Sequence, residues 1–268
     1  MEGRIDEVPQ MSEWSENWWD QPIVALDVET TGLSAEDDKI IEIALVKMRA
    51  DQVEDVYCTL VQPGRPVGPD SERITGISDK DLEGAPRFEE IAAEVHSRLE
   101  GCAVLAYNLA FDRGFIQKAL KENGFAWPET APMLDPLILA RGVFPDQRGY
   151  KLGLIAKRVG VSLEEAHRAS HDAEAAGRVL YAMVDLLPEK LKELLELQSE
   201  WAADFARRTS NWRGGGRAAD ESLILTEAQA SDDGLYRMGP AYRYNRDPDV
   251  DPLRFIFRKL PTSGGARR

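Results

Sequence analysis

Ile23-Val-Ala-Leu-Asp-Val-Glu-Thr-Thr-Gly-Leu33 is the stretch on which the organisation of the whole chain depends. Its apolar residues predict a buried strand, and Thr-Thr-Gly predicts a turn where that strand ends. Asp27 and Glu29 lie inside the strand two positions apart, so both carboxylates project from the same face. Two neighbouring carboxylates repel each other, and Mg²⁺ is commonly held by one or two such groups. Taken alone, the pair is also compatible with an exposed edge strand that carries two solvated acids.

The composition is typical of a soluble globular protein, with 43% hydrophobic and 30% charged residues among 268. This length allows one large domain or a domain with an appendage. No apolar run approaches the roughly 18 residues of a membrane span, and the acidic N-terminus lacks a signal-peptide pattern, so we expect a cytoplasmic protein. Cys58 and Cys102 each lie in an apolar, strand-like run, where we expect buried thiols rather than a disulfide or metal site.

The net charge of −14 at first argues against a nucleic-acid partner, because phosphate binding normally uses Lys and Arg. The charge is unevenly distributed, however. Residues 1–185 hold 34 acidic and 19 basic side chains, whereas residues 186–268 hold 13 acidic and 14 basic ones. An acidic domain can still act on phosphodiesters when bound metal ions supply the positive charge, and a metal site itself needs carboxylates.

Further acids and a histidine fall at positions that suggest a site. After the first strand, two more strands are predicted over residues 40–48 and 53–62, and another over 102–107. Asp112 lies in the first turn of the helix that opens at Asn108, and Asp172 lies near the start of a later helix. Either acid could simply cap its helix. His167 precedes Asp172 by five positions, on the loop that enters the same helix.

Three separated segments together resemble the DEDD exonuclease superfamily, in the branch with a catalytic histidine. They are Asp27-Val-Glu-Thr-Thr-Gly32, Asn108-Leu-Ala-Phe-Asp112 and His167-x-x-x-x-Asp172, in the order that the family shows. A sister branch carries Tyr four residues before the last Asp, where this chain has Arg168. The sequence is similar to the epsilon proofreading subunits of bacterial DNA polymerase III over about residues 22–185.

This resemblance implies an α/β fold of the ribonuclease H-like type, with a mixed five-stranded sheet flanked by helices and a C-terminal appendage. It implies a metal-dependent 3′→5′ exonuclease that releases nucleoside 5′-monophosphates in proofreading or repair, with DNA favoured. A 3′→5′ exoribonuclease that trims RNA and a non-catalytic polymerase-accessory binding module stay open as alternatives. The expected partners are a single-stranded or frayed 3′ end of DNA, or of RNA, and a polymerase or clamp.

The resemblance also implies two Mg²⁺ or Mn²⁺ ions and a role for each catalytic residue. Asp27, Glu29 and Asp172 would bind the ion that holds the nucleophilic water. Asp27 would bridge to the second ion, which Asp112 supports. His167 would deprotonate the water, because its unperturbed pKa of about 6.5 is close to the operating pH.

Five further residues are expected to contact the substrate. By the same resemblance, Thr30, Gly32 and Leu33 would lie against the terminal nucleotide, with Leu33 wedged at a base. Asn108 and Phe111 would shape the pocket. Neighbouring His171 is expected to have no catalytic role.

The regions outside the resemblance divide the chain into four parts: an N-terminal arm at 1–20, an exonuclease domain at 21–187, a C-terminal helix at 188–212 and a hinge with a tail at 213–268. Trp14, Trp18 and Trp19 suggest that the arm docks on a surface, although a loosely ordered arm fits equally well. The tail interleaves Arg with Tyr and Phe, so it could hold single-stranded nucleic acid, pack as a strand on the core or dock on a protein.

Overall fold

The computed structural model describes residues 14–163 and 168–212, the last five of them by backbone alone. In this part of the chain, one sheet is covered by helices on both faces. The strands are β1 (Ile23–Thr30), β2 (Ile40–Arg49), β3 (Gln52–Leu60), β4 (Ala103–Leu105) and β5 (Met133–Leu134). The helices are α1 (Pro69–Thr75), α2 (Phe88–Leu99), α3 (Leu109–Glu122), α4 (Pro136–Val143), α5 (Leu152–Val159), α6 (Ala169–Ala182) and α7 (Leu191–Trp212). None of these described helices is both long and apolar enough to cross a membrane.

The sheet is mixed, with the strand order β3-β2-β1-β4-β5. The three strands predicted first are present and form a meander, because β1 pairs antiparallel with β2, and β2 with β3. β4 and β5 join the other edge of β1 in parallel. β4 is shorter than the predicted strand, and its pairing with β1 ends where Ala25 meets Leu105. The carboxyl-terminal half of β1 therefore extends beyond β4.

The side chains of β1 alternate between two apolar cores. Ile23 and Ala25 pack in the core beneath α6, whereas Val24, Leu26 and Val28 pack in the core beneath α2 and α3. This alternation fixes which functional side chains can meet, since every second residue of β1 continues on the α6 face.

Gly177 leaves room for the Met48 side chain between α6 and the sheet. A Cβ added at Gly177 would meet the sulfur of Met48 on β2 at 2.4 Å. Small residues therefore bring the backbone of α6 towards β1 and β2, and with it any side chain on the first turn of the helix.

Residues 14–20, which were predicted to belong to an arm, pack on the core in the structure. Trp18 and Trp19 are buried in the core beneath α6. The Trp18 indole N–H donates to the carbonyl of Pro188 at 3.0 Å, and the Leu191 N–H donates to the carbonyl of Glu16 at 2.9 Å. Residues 14–20 are therefore docked rather than loosely ordered, and the surface that they contact belongs to the same chain. The predictions for residues 1–13, for the hinge and for the tail concern residues outside those described.

The prediction that both thiols are buried is wrong for one of them. Cys102 is buried, but Cys58 is exposed. β3 lies at the edge of the sheet, and all of its residues are exposed or half-exposed. An apolar run in an edge strand does not guarantee burial, because one side of such a strand has no neighbour.

Candidate active site

Asp27 and Glu29 continue the row of β1 side chains that faces α6. They follow Ile23 and Ala25 at alternate positions, and both are half-buried. Asp172 lies in the first turn of α6, above this end of the strand. One carboxylate oxygen from each of Asp27, Glu29 and Asp172 lies within 4.8 Å of the other two. The structure thus brings together three acids that are widely separated in sequence.

Asp112 reaches the site from α3, and it is only 3% exposed. Its Oδ1 accepts a hydrogen bond from the backbone N–H of Val28 at 3.1 Å. That stretch of β1 is accessible because the pairing with β4 has already ended at Ala25. Asp112 therefore does more than cap a helix, since it ties α3 to the strand that carries the other acids.

Burial and mutual repulsion disfavour the negative charges of this cluster. Burial, followed by the charges of Asp112 and Glu29, raises the pKa of Asp27 well above its ordinary value. Burial also raises the pKa of Asp112 well above its ordinary value, although the hydrogen bond from Val28 opposes the rise. A divalent cation would favour the ionised forms and remove the repulsion.

The donor set fits a hard divalent cation such as Mg²⁺ or Mn²⁺, because every ligand atom that the described residues offer there is a carboxylate oxygen. Asp27, Glu29 and Asp172 could hold one ion together. Among residues 14–163 and 168–212, this is the one group of three or more acidic, His or Cys side chains close enough to share an ion.

A family model described as exonuclease (RNase_T) matches residues 24–180, which is more than half of the chain. The match includes all four acids of the cluster. The chain belongs to the exonuclease family.

The relatives of this exonuclease domain include parts of much larger enzymes. The PolC-type DNA polymerase III of Streptococcus thermophilus is 33% identical over 189 residues, covering 70% of this chain and 13% of that protein. The corresponding protein of Lacticaseibacillus paracasei is 38% identical over 160 residues, covering 60% of this chain and 11% of that protein. The chain thus spans only about an eighth of the length of these relatives.

Solved structures show the same fold. E. coli exonuclease I in complex with a dA16 oligonucleotide matches with a TM-score of 0.56 at 18% identity, over 66% of this chain and 43% of that one. Exonuclease X in complex with 5′ overhanging duplex DNA matches with a TM-score of 0.54 at 21% identity, over 66% of this chain and 98% of that one. The predicted ribonuclease H-like fold, a mixed five-stranded sheet flanked by helices, is confirmed.

The end of β1 and the turn after it carry three of the predicted substrate contacts. The Thr30 hydroxyl donates to the carbonyl of Gly32 at 2.5 Å, and Leu33 is 53% exposed. A Cβ at Gly32 would meet the carboxylate of Asp38 at 2.3 Å, so the packing of the chain itself requires glycine here. Asp38 in turn accepts a hydrogen bond from the N–H of Ser34 at 3.1 Å. Contact of Thr30, Gly32 and Leu33 with a nucleotide stays a prediction.

The two predicted pocket residues lie at the start of α3, beside Asp112. Asn108 adopts a left-handed conformation, with φ of 75°, which Asn tolerates better than most residues. Phe111 is half-buried, and its ring centroid lies 5.0 Å from that of Phe115. Their roles towards substrate likewise stay predictions.

Of the two histidines near the third motif, the structure describes only His171. His167 lies outside the described residues, so its predicted role as general base is not tested by the geometry. His171 is exposed and lies on the first turn of α6, next to Asp172.

Glu42 contributes to the site region, and the sequence interpretation overlooked it. Its side chain is 1% exposed, and its Oε1 accepts a hydrogen bond from the Arg168 guanidinium at 3.0 Å. Its Oε2 accepts from the N–H of Ala169 at 3.1 Å, where α6 begins. The signal was available, because Glu42 is an acid inside an apolar strand, just as Asp27 is.

Asp135 is a second overlooked residue. It is buried, and its carboxylate accepts hydrogen bonds from the N–H groups of Asn108, Leu109 and Leu137. It therefore caps α4 and holds the start of α3, the helix that carries Asp112. The Asp-Pro pair at 135–136 is a typical helix start and indicated the first of these roles.

Proposed function

We propose that this domain is a metal-dependent 3′→5′ exonuclease that hydrolyses DNA to nucleoside 5′-monophosphates, in proofreading or repair. The observation that carries the proposal is the convergence of Asp27, Glu29 and Asp172 within 4.8 Å, with Asp112 tied to the same strand. Membership of the exonuclease family supports nuclease chemistry. The likeness to PolC-type DNA polymerases favours DNA and a polymerase partner.

Each residue has a distinct proposed role. Asp27, Glu29 and Asp172 would hold one Mg²⁺ or Mn²⁺ ion, and Asp27 with Asp112 would hold a second. When bound, such ions activate water and stabilise the charge that develops on the oxygens at phosphorus. His167 takes the proton of the attacking water as general base. Thr30, Gly32, Leu33, Asn108 and Phe111 bind and orient the terminal nucleotide.

Digestion of 5′-labelled single- and double-stranded DNA and RNA tests this proposal, with Mg²⁺, Mn²⁺ or EDTA in parallel reactions. We expect a ladder that shortens from the 3′ end, nucleoside 5′-monophosphates as products and no reaction in EDTA. The Asp27→Asn variant, purified identically, controls for a contaminating nuclease. Faster digestion of RNA than of DNA would favour the exoribonuclease alternative, and absence of hydrolysis with tight DNA binding would favour the accessory module.

A further inference from the structure

The segment from α4 to α5 has a charge opposite to that of the rest of the protein. Residues 136–163, called here the basic segment, contain five basic side chains and one acid, Asp146, in a chain of net charge −14. The basic residues are Arg141, Arg148, Lys151, Lys157 and Arg158. All except Arg141, which is half-buried, are exposed.

Three cations of the basic segment are less neutralised than Arg98, Lys118 and Arg178, which lie on other elements. Arg98, Lys118 and Arg178 each meet two carboxylates within 4.0 Å. By contrast, Arg141, Arg148 and Lys157 have no carboxylate within that distance among the residues that the structure describes. Positive charges that no described carboxylate neutralises can attract an external anion.

Two arginines of this segment, Arg141 and Arg158, lie near aromatic rings. Arg158 donates to the neutral Gln147 side chain at 2.9 Å, and its guanidinium lies 4.5 Å from the centroid of the Phe144 ring. The Arg141 guanidinium lies 5.7 Å from the Tyr150 ring centroid. Arginine interleaved with aromatic rings is the combination with which proteins hold single-stranded nucleic acid, by backbone attraction and base stacking.

The basic segment contacts the two elements that carry Asp112 and Asp172. At one end, the Tyr107 hydroxyl donates to the carbonyl of Tyr150 at 2.5 Å, and Tyr107 directly precedes Asn108 at the start of α3. At the other end, α5 packs against α6, which carries Asp172, in one apolar core. A strand whose 3′ end lies at the acids can therefore pass along this segment.

We propose that the basic segment binds the phosphates of the nucleic-acid strand upstream of the 3′ nucleotide, chiefly through Arg148 and Lys157. The proposal rests on the nuclease function proposed above and adds the path of the substrate. In a protein of this net charge, a polyanion approaching the acidic cluster is repelled within about 8–10 Å at physiological salt. Unpaired cations beside the site would offset that repulsion.

The double variant Arg148→Gln/Lys157→Gln tests the proposal, with Lys47→Gln/Lys121→Gln as a control of equal charge change. Lys47 lies on β2, at the end that pairs with the start of β1, and Lys121 lies in the last turn of α3. The measurements are KM and kcat on a single-stranded 15-mer and on a dinucleotide, at 50 and 200 mM KCl. Fluorescence anisotropy of the 15-mer in EDTA measures binding independently of hydrolysis.

We expect the double variant to bind the 15-mer more weakly at 50 mM KCl and to lose less affinity as salt rises. Removal of two phosphate contacts lowers the logarithmic salt slope by about 1.4, so the fall in affinity between the two salt concentrations shrinks by about sevenfold. Turnover of the dinucleotide should not change. The charge-conserving variant Arg148→Lys/Lys157→Arg should retain the binding of the original protein, which separates charge from folding.

Equal binding and equal salt slopes in the double variant and the control would overturn the proposal, even if hydrolysis is normal. If the original protein hydrolyses neither substrate, the proposed nuclease function fails, but anisotropy still decides whether the basic segment binds the strand.

Discussion

Glu29 and Glu42 lie opposite each other on β1 and β2, yet the protein uses the two side chains differently. Glu29 is half-buried in a cluster with the carboxylates of Asp27 and Asp172. Glu42 is buried, and the Arg168 guanidinium and the N–H of Ala169 bind its two oxygens. Two other carboxylates lie close to the first glutamate, whereas an arginine and a backbone N–H bind the second. This difference distinguishes a cation site from a structural anchor.

Both glutamates act on the same helix. Glu42 fixes the residues at which α6 begins, and Asp172, one turn further on, joins Glu29 at the cluster. The anchor therefore positions a ligand of the site, and it also holds Arg168, the residue that directly follows His167. Substitutions in the cluster should therefore lower activity and metal binding, whereas substitution of Glu42 should lower stability.

The largest expected effect follows from Asp27→Ala, which removes the residue proposed to contact both ions. Nuclease activity should fall to background, and stabilisation by Mn²⁺ should disappear. In EDTA the free energy of unfolding should stay unchanged or rise, because repulsion within the cluster decreases. Labelled-DNA digestion and thermal melts with and without Mn²⁺ measure these changes.

Asp70→Ala is the matched control, since the Asp70 side chain is 91% exposed in a surface pair with Arg73. Full activity of a clean Asp27→Ala preparation would contradict the assignment of the cluster.

The next largest effect concerns the residue beside the anchored Arg168. His167→Ala should lower kcat by about 10²–10⁴, the range for loss of a general base, while His171→Ala should change it much less. Single-turnover rates over a pH range measure both, and the His167 variant should lose the dependence on the basic form of the imidazole. If His171→Ala were the more damaging change, the predicted alignment of the third motif would be wrong.

The comparison also shows what the sequence could predict. The period-2 pattern of β1 correctly placed Asp27 and Glu29 on one face, and the three spaced motifs led to the correct fold. The pairing of Glu42 with residues 168 and 169 was not predictable in the same way, because it joins positions more than a hundred residues apart. The exposure of Cys58 likewise depends on which strand lies at the sheet edge.

Substitution by Gln should destabilise the protein at Glu42 but not at Glu29. Glu42→Gln replaces an acceptor with an amide group beside the Arg168 guanidinium, so we expect a loss of about 1–3 kcal/mol. The lower part of this range is more realistic, because the Arg168 side chain is 55% exposed and its charge is screened. Glu29→Gln should leave the free energy of unfolding in EDTA unchanged or slightly higher.

Urea unfolding in EDTA measures both glutamine variants. A double-mutant cycle of Glu42→Gln with Arg168→Gln isolates the coupling between these two side chains. Equal destabilisation by Glu29→Gln and Glu42→Gln would remove the distinction between ligand and anchor.

The smallest expected effect is the pH dependence that the cluster imposes. Folding raises the pKa of Asp27 and of Asp112, so the folded protein binds protons more tightly than the unfolded chain does. Their contribution to stability is present below the unfolded pKa and is lost as pH rises through the folded pKa. Without metal, the free energy of unfolding should therefore decrease with rising pH by up to about 1.4 kcal/mol per pH unit for each proton lost.

The Asp27→Asn variant should show a shallower decrease, because it retains the other charges of the protein but lacks one of these two groups. Mn²⁺ should stabilise the original protein more at pH 8 than at pH 5.5, since protons compete with the cation for the same oxygens. Urea unfolding at both pH values, in EDTA and in Mn²⁺, gives the four free energies needed. The same pH slope in Asp27→Asn and in the original protein would show that the repulsion acting on stability arises from the overall charge of −14 rather than from the cluster.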